Sequence, residues 1–320
     1  MITTTKKTIR TKKPKAIVTG CTGAIGISLI NKLLNEGYAI YAVAHKNSKR
    51  IDNIPSSPDV SIIECNLENI DKLPGIINEK CDIFFHLAWA GTFGNIRNAV
   101  NIQADNIKFA VNAVEAANKL GCKIFLGAGS QAEYGLKSQK LTSDMSENPI
   151  NGYGIAKLCA GRLTRILCGQ YGIKHIWCRI LSVYGPYDAE YTMIMSSIIK
   201  MLEGESISYT KGEQMWDYLY SDDAAEALFL SAKNGIDGKI YCVGSGNAIP
   251  LKNYIEKIKD YIGSESKLGF GDISYNENSL MYLCADISQL TKDTGFIPKH
   301  TFDEGIRATI DWCKEYYRKG

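Results

Sequence analysis

Short apolar runs alternate, over the first 180 residues, with stretches in which apolar residues recur at every third or fourth position. The runs favour strands, and the stretches between them have the periodicity of helices that bury one face. The predicted strands cover 15–19, 39–44, 60–65, 82–87, 122–128 and 175–180, and the predicted helices cover 27–34, 70–79, 96–119 and 152–171. This alternation predicts an α/β fold with a doubly wound parallel sheet that binds its ligand at the carboxyl ends of the strands.

The pattern loosens after about residue 180. The sequence predicts a turn at 183–186, helices at 191–203, 224–233, 251–262 and 302–318, strands at 206–209, 216–220 and 280–285, and a glycine loop at 243–247. Asp222 and Asp223 are predicted to form the N-cap of the helix over 224–233.

A glycine-rich turn joins the first predicted strand to the first predicted helix. Glycines allow the backbone to turn tightly and to approach a pyrophosphate, whose charge the helix N-terminus favours. Because the turn lies between a strand and a helix, it predicts a dinucleotide site of the Rossmann type. The residues expected to bind there are Gly20, Thr22, Gly23, Ala24, Ile25 and Gly26.

The domain prediction follows from this motif and from the change in pattern near residue 180. We expect 1–14 to be a flexible basic N-terminus and 15–180 to be the dinucleotide-binding Rossmann domain. Residues 181–320 would mainly form a smaller substrate-binding domain, with part of 211–242 returning to the Rossmann domain.

Basic residues follow the second predicted strand. NAD-binding folds usually place an acid at this point for the ribose 2′-hydroxyl, whereas this chain has His45, Lys46 and Arg50 and no acid before Asp52. Basic side chains suit a 2′-phosphate, which favours NADP(H). NAD(H) stays open, because ordinary loop charges are the alternative explanation of these residues.

Tyr153 and Lys157 are four residues apart at the start of a predicted helix, so both side chains emerge on one face. A nearby ammonium favours the phenolate and makes the phenol a better acid. Such a tyrosine can exchange a proton with a carbonyl or an alcohol near neutral pH.

Composition narrows the class of protein. The net charge is +3, but the acid-free first 15 residues contribute six positive charges, so the remainder carries a net charge of −3 and gives no support for nucleic-acid binding. The ten scattered cysteines form no CxxC pair, which argues against a metal site and fits a reducing cytoplasm. The sequence also predicts no secretory signal and no membrane-spanning run.

Together these residues resemble the extended short-chain dehydrogenase/reductase family, whose members act on nucleotide sugars. The resemblance runs from Ala16 to about Trp312. It rests on the ordered occurrence of Thr19-Gly20-x-x-Gly23-x-x-Gly26, His86-Leu87-Ala88, Asn106, Ser130, Tyr153-x-x-x-Lys157, Val183-Tyr184-Gly185-Pro186 and Tyr218-x-Tyr220-x-Asp222-Asp223.

The resemblance implies roles for individual residues. Tyr153 would be the proton donor and acceptor, Lys157 would lower its pKa and hold the nicotinamide ribose, and Ser130 would hydrogen-bond the reacting oxygen. Asn106 would support Lys157 through water. The residues at strand carboxyl ends expected to contact the cofactor are Asn66, Leu67, Leu87, Ala88 and Trp89.

Departures from the family pattern point to the reaction. Dehydratases of the family carry Asp-Glu after the hydroxyl residue, whereas Gln131 and Ala132 follow Ser130 here. Ser182 and Trp216 replace an asparagine and an arginine typical of UDP-galactose epimerases. The run over 129–135 and the later strand look most like CDP-abequose and CDP-paratose synthases and dTDP-4-dehydro-6-deoxyglucose reductases. The expected substrate contacts are Trp89, Ser130, Gln131, Ser182 and Trp216.

The resemblance and these departures together predict an NAD(P)H-dependent reductase for the C4 ketone of a nucleotide-linked 4-keto-6-deoxyhexose. The product would be used in surface-polysaccharide synthesis. A nucleotide-sugar 4-epimerase with tightly bound NAD and a non-catalytic cofactor-binding scaffold are the alternatives. The family often pairs through the helices over 96–119 and 152–171, so a homodimer is expected.

Overall fold

A computed structural model describes residues 13–317, so residues 1–12 of the predicted basic N-terminus and residue 318 of the last predicted helix lie outside it. The strands within that range are β1 (Lys15–Thr19), β2 (Ala39–Ala44), β3 (Val60–Glu64), β4 (Ile83–His86), β5 (Ile124–Ser130), β6 (Lys174–Ile180), β7 (Ser182–Tyr184), β8 (Ile207–Tyr209), β9 (Met215–Trp216), β10 (Tyr218–Tyr220), β11 (Ile240–Val243), β12 (Ile249–Pro250), β13 (Leu268–Phe270) and β14 (Tyr282–Leu283).

The helices complete the architecture. The α-helices are α1 (Ala24–Asn35), α2 (Val100–Lys119), α3 (Gly152–Tyr171), α4 (Met193–Leu202), α5 (Ser221–Asn234), α6 (Leu251–Ile262), α7 (Ser288–Thr294) and α8 (Phe302–Tyr317). Within residues 13–317, four 3₁₀-helices cover Ile51–Asn53, Leu67–Gly75, Gly94–Asn98 and Gln131–Tyr134.

Seven strands form a parallel central sheet in the order β11-β6-β5-β4-β1-β2-β3. Every pairing in it is parallel, which confirms the predicted sheet. The chain order changes direction at β1, so the carboxyl ends of β1 and β4 flank the crevice in which such sheets bind ligands.

Helices cover both faces of the sheet, because its strands are apolar on both sides. On one face, buried residues of α1 and α5, among them Leu29, Leu33 and Phe229, pack into one core cluster. On the other face, residues of α2, of α3 and of the 3₁₀-helix Leu67–Gly75 form a second cluster. This arrangement is the doubly wound fold that the sequence predicts.

The C-terminal part has a core of its own. Buried residues of α4, α6 and α8, among them Ile198, Ile255 and Ile310, pack together with β8 and β10. Three elements from this part of the chain pack with the central sheet. Helix α5 packs against α1, Leu290 of α7 joins the same core cluster, and β11 forms one edge of the sheet.

Two predictions for the region after β6 are wrong. Residues 183–186 were expected to form a turn, but Ser182–Tyr184 is a strand that pairs in parallel with β10. The strand expected over 216–220 is interrupted at Asp217, and its halves belong to different sheets. The cause is the buried Asp217 carboxylate, which accepts hydrogen bonds from the backbone N–H groups of Ser245, Gly246 and Ala285.

Three helix predictions also need correction. The helix expected over 70–79 is the 3₁₀-helix Leu67–Gly75, which contains Pro74 and therefore lacks one backbone donor. The helix expected over 96–119 begins at Val100, after the separate 3₁₀-helix Gly94–Asn98. Asp222 and Asp223 lie in the first turn of α5, whose N-cap is Tyr220.

Candidate active site

The N-terminus of α3 places Tyr153 and Lys157 beside the carboxyl end of β5. The Asn151 side chain caps α3 by accepting a hydrogen bond from the Gly154 backbone N–H at 2.8 Å. Gly154 packs directly on the backbone of Ala132, since a Cβ at this position would lie 2.3 Å from the Ala132 carbonyl oxygen. The glycine thus allows α3 to approach the segment that carries Ser130.

Ser130 ends β5 and begins the 3₁₀-helix Gln131–Tyr134 as its N-cap. Its hydroxyl accepts a hydrogen bond from the Ala132 backbone N–H at 3.1 Å, and its own backbone N–H donates to Glu133 Oε1 at 2.8 Å. This reciprocal capping box fixes the hydroxyl in place. The hydroxyl also contributes to the electrostatics of Tyr153, because its hydrogen bonding lowers the pKa of the phenol.

Lys157 is buried, with 3% of its surface exposed. Its Nζ donates a hydrogen bond to the Ala128 carbonyl at 2.6 Å and lies 3.9 Å from the centroid of the Trp89 ring. Burial lowers the pKa of Lys157 to about 7, and the negative charge of Glu133 opposes that shift. The ammonium is therefore easily neutralised.

Tyr153 has a different electrostatic environment from the one expected. Burial raises the pKa of its phenol, whereas the Ser130 hydroxyl and the positive charge of Arg97 lower it. The expectation that Lys157 sets this pKa finds no support here, since Lys157 Nζ lies 5.8 Å from the Tyr153 ring centroid and is directed to Ala128. The closer cation is Arg97, whose guanidinium carbon is 4.7 Å from that centroid.

A cleft of about 220 Å³ lies in front of the glycine turn. Gly20, with φ +70°, packs against the backbone of Leu87 and Ala88, and a Cβ there would be 2.9 Å from Ala88 N. The N-terminus of α1 has no side-chain cap and no acid in its first turn. Among the predicted cofactor residues, those lining this cleft are Gly20, Gly23, Ala24, Ile25, Gly26 and Leu87.

This cleft has the features of a pyrophosphate site. A bare glycine turn and uncapped helix N–H groups are the features that allow a pyrophosphate to approach the backbone. Thr22 lies half-buried in the same turn. Asp188, which the sequence analysis missed, also lines the cleft, and burial raises the pKa of its carboxyl to about 6.

Thr19 joins the ends of β1 and β4 below this cleft. Its Oγ1 accepts hydrogen bonds from the backbone N–H groups of Leu87 and Ala88 at 3.1 and 3.2 Å and contacts His86 Nδ1 at 3.1 Å. Because both N–H groups donate to this oxygen, the hydroxyl proton is left for His86 Nδ1, which must be the unprotonated nitrogen of the ring. Burial and the charge of Lys157 lower the pKa of His86 to about 3, so the ring is neutral.

The three basic residues predicted to favour NADP(H) do not all face the same way. His45 and Lys46 are exposed after β2, whereas the Arg50 side chain donates to the Tyr187 carbonyl. Asn66 accepts a hydrogen bond from the Lys46 backbone N–H at 2.9 Å, so these two loops are adjacent.

Two further observations concern the loops after β2 and β3. Leu67 packs against the core beneath the sheet. The structure also brings an acid that the sequence analysis missed to this edge, since Glu64 Oε2 accepts a hydrogen bond from the Asn47 backbone N–H at 3.4 Å.

Asn106 is bound to the loop after β4. Its side-chain amide pairs with both backbone groups of Ala90, at 2.9 and 2.8 Å. Gln103 similarly donates to the carbonyl of Gly91 and accepts from the indole of Trp89. These two amides fix the loop after β4, and Trp89 within it packs both on Lys157 and against the core between α2 and α3.

The expected substrate contacts fall into two groups. Trp89, Ser130 and the half-buried Gln131 lie near Tyr153, and the Trp89 and Tyr153 rings meet edge to face at 6.2 Å. Ser182 and Trp216 contact each other, with the indole donating to the Ser182 hydroxyl at 2.8 Å. This bond leaves the Trp216 indole without a free donor for a substrate.

Within residues 13–317 there is no cluster of three or more metal-ligating side chains. The same residues include no helix long and apolar enough to cross a membrane.

Comparison with known proteins places this site in context. The NAD dependent epimerase/dehydratase family matches residues 16–244. CDP-abequose synthase of Salmonella muenchen is 26% identical over 305 residues, covering 92% of this chain and 97% of that protein. UDP-glucuronate 4-epimerase of Thermodesulfobacterium geofontis is 26% identical over 312 residues, covering 93% and 96%.

A solved structure has the same fold. The UDP-glucuronic acid 4-epimerase from Bacillus cereus, in complex with UDP-glucuronic acid and NAD, superimposes with a TM-score of 0.83 at 22% identity and covers 95% of this chain and 100% of its own. These relatives carry the names of enzymes of nucleotide-sugar metabolism. The two relatives named above modify nucleotide sugars. Because the family pattern covers the central sheet and the Tyr153 helix, this chain belongs to the NAD-dependent epimerase/dehydratase family.

Proposed function

We propose that this protein reduces the C4 ketone of a nucleotide-linked 4-keto-6-deoxyhexose with NADPH. The observation that carries the proposal is the convergence of Ser130, Tyr153 and Lys157 at the carboxyl end of β5, next to the cleft of the glycine turn. A proton donor beside a dinucleotide cleft is what carbonyl reduction needs.

The chain's own residues then have separate tasks. The nicotinamide cofactor supplies a hydride when it is bound. The Tyr153 phenol gives its proton to the C4 oxygen, and the Ser130 hydroxyl donates a hydrogen bond to the same oxygen as negative charge develops there. Lys157, held by Ala128, contributes a positive charge at the end of β5 when it is protonated. The ketone gains one hydride and one proton and becomes an alcohol.

The surroundings of Ser130 argue against dehydration. Removal of water needs an acid and a base next to the reacting carbons, but Gln131 and Ala132 cannot titrate. Glu133 is the nearest carboxylate along the chain, and it is buried and accepts hydrogen bonds from Ser130, Trp177 and Arg179. That carboxylate is committed to structural contacts.

An epimerase with tightly bound NAD is the second candidate, and Glu64 is the observation that favours it. An acid at the end of β3, beside Asn47, is suited to a ribose 2′-hydroxyl and unsuited to a 2′-phosphate. The relative named UDP-glucuronate 4-epimerase agrees with this candidate, whereas the relative named CDP-abequose synthase agrees with the reductase.

We also propose a homodimer paired through α2 and α3. The outward face of α3 carries apolar side chains at Ile155, Leu163 and Ile166, which are 55, 42 and 60% exposed. A second copy would cover them.

The deciding experiment follows NADPH absorbance with CDP- and dTDP-linked 4-keto-6-deoxyglucose. Stoichiometric loss of NADPH supports the reductase. Loss with neither sugar, together with NAD carried through purification, would favour the epimerase. The Tyr153→Phe variant should lose about two to four decades of turnover while it keeps its affinity for cofactor. Cofactor binding without turnover of any nucleotide sugar would instead indicate a scaffold.

A further inference from the structure

Arg97 stands over the ring of Tyr153, and the family resemblance gives it no role. It belongs to the 3₁₀-helix Gly94–Asn98 between β4 and α2, and its guanidinium carbon is 4.7 Å from the Tyr153 ring centroid. A guanidinium at this distance is attracted to the face of an aromatic ring. The attraction grows when the phenol loses its proton, because a full negative charge then replaces a quadrupole.

The backbone around Arg97 is fixed against α3. The Asn98 side chain accepts a hydrogen bond from the Gly152 backbone N–H at 2.9 Å. Gly152 also packs on the Arg97 carbonyl, since a Cβ there would lie 3.0 Å from that oxygen. On the other side, Gln103 donates to the carbonyls of Gly91 and Ile96. The backbone of Arg97 is therefore fixed by contacts with α3 and with Gln103 of α2.

The side chain of Arg97 is not committed to another charge. Its Nε is buried and has no hydrogen-bond partner within the part of the chain that the structure describes. The salt bridges found among residues 13–317 leave Arg97 out. A buried donor without a partner is costly, so its position beside Tyr153 calls for a compensating interaction.

Lys157 does not supply the same charge. Its Nζ is 5.8 Å from the Tyr153 centroid and is directed to the Ala128 carbonyl and the Trp89 ring. The remaining charged group that acts on Tyr153 is Glu133, which disfavours the phenolate. Arg97 is thus the cation best placed to balance Glu133.

We propose that Arg97 is a second cation serving Tyr153, and that it stabilises the phenolate left when Tyr153 gives its proton to the substrate oxygen. In that transfer the phenol O–H bond breaks, its electron pair stays on the tyrosine oxygen, and the proton moves to the oxygen of C4. Arg97 acts through Tyr153 and is a positioning residue. The inference rests on the proposed function only in taking Tyr153 as the proton donor.

The test measures the ionisation of Tyr153 without any substrate. The protein is made with 3-fluorotyrosine, whose phenol ionises at a lower pH than that of tyrosine, and fluorine NMR follows the resonance that disappears in Tyr153→Phe. Arg97→Gln and Arg97→Met should each raise the ionisation pH by roughly one unit or more, since each removes a charge close to the phenolate. Arg97→Lys should restore part of the shift.

The control is Arg307→Gln, which removes a guanidinium placed 3.8 Å from another tyrosine ring, that of Tyr261. It should leave the resonance of residue 153 unchanged. An unaltered ionisation pH in both neutral Arg97 variants would overturn the proposal. Weaker UDP binding by those variants with no change in ionisation would also overturn it and would assign Arg97 to a substrate anion. Failure of the ketone substrate to react leaves this measurement intact, so the two proposals can fail separately.

Discussion

Glu133 and Arg179 form a buried ion pair directly behind Ser130, with Glu133 Oε2 2.7 Å from Arg179 Nε. The other carboxylate oxygen accepts hydrogen bonds from the Ser130 backbone N–H and from the indole of Trp177. Arg179 Nη2 in turn donates to Glu147, whose carboxylate also pairs with the surface residue Arg162. The backbone of Ser130 is thus anchored to a chain of charges that runs from the interior to the surface.

Breaking this pair should be costly. Glu133→Gln leaves a buried guanidinium without its main counter-charge, so we expect the free energy of unfolding to fall by about 3–5 kcal/mol. Turnover should fall as well, because the cap of Ser130 is disturbed. Chemical denaturation measures the loss. Lys257→Gln is the control, because its pair with Asp303 is exposed, and it should cost less than about 1 kcal/mol. Equal losses of unfolding free energy in the two variants would mean that the buried pair contributes no more to stability than the exposed one.

Gly154→Ala tests the contact between α3 and the Ser130 segment. The new methyl group would lie 2.3 Å from the Ala132 carbonyl oxygen, so α3 must move away and carry Tyr153 with it. We expect a loss of stability of about 1–3 kcal/mol and a fall in kcat larger than any change in cofactor affinity.

The matched control is Gly169→Ala on the same helix, where a Cβ meets nothing within 4 Å. An alanine there should stabilise the helix by up to about 1 kcal/mol and leave kcat unchanged. Full turnover in Gly154→Ala would mean that the close approach is not needed for catalysis.

Lys157 makes stability depend on pH. Its pKa is about 7 in the folded protein, against an ordinary value of 10.5, so the unfolded chain binds more protons between these two pH values. The cost of burying the ammonium is therefore complete below pH 7 and disappears as the pH rises towards 10.5.

Lys157→Met lacks this penalty, so its stability relative to the native protein should fall with rising pH across that window, by at most about 1.4 kcal/mol per pH unit. Urea denaturation at a series of pH values measures the difference. Lys108→Met, at an exposed position on α2, should show no comparable slope. A difference for Lys157→Met that does not vary with pH would contradict the prediction.

Cofactor preference is testable at the end of β2. If NADP(H) is the cofactor, Lys46→Asp replaces attraction with repulsion at the 2′-phosphate and should weaken NADPH binding at least about tenfold, with a smaller effect on NADH. Fluorescence titration of both cofactors provides the comparison, with Lys49→Asp as the neighbouring control. Unchanged NADPH affinity would contradict the NADP(H) preference and would favour NAD, with Glu64 binding the ribose 2′-hydroxyl.

The proposed dimer is testable on α3. Ile166→Glu places a charge on the apolar outward face of the helix, and sedimentation should then show a monomer where the native protein is a dimer. Ile297→Glu changes an equally exposed isoleucine, 65% exposed, away from α2 and α3 and should leave the dimer intact. A native protein that sediments as a monomer would remove the proposal.

Periodicity and motifs predicted six strands of the central sheet and the residues of the glycine turn, because those signals are local. Strand β11 was missed, since Ile240–Val243 is short and lies next to a glycine-rich loop. Trp216 and Ser182 were both singled out, but the bond between them depends on folding across 34 positions of the chain. Glu133 and Arg179 are 46 positions apart, and only the parallel pairing of β5 with β6 brings them together.

Arg97 shows the limit of a pattern-based prediction most clearly. The apolar spacing over 96–119 predicted one continuous helix, in which Arg97 would be an ordinary first-turn residue. The separate 3₁₀-helix turns it towards Tyr153 instead. Gly152, where a Cβ would lie 3.0 Å from the Arg97 carbonyl oxygen, reflects this packing, but the glycine alone does not identify Arg97.

The buried carboxylate of Asp217 has a consequence for the order of folding. Its partners, Ser245, Gly246 and Ala285, follow it by 28 to 68 positions. During synthesis the last of these bonds, from Ala285, can form only after residue 285 has left the ribosome, and closing this 68-residue loop is a late step. A nascent chain that stops short of Ala285 can build most of the central sheet and still leave the segment around Trp216 unanchored, which makes that segment a natural target for chaperones and proteases.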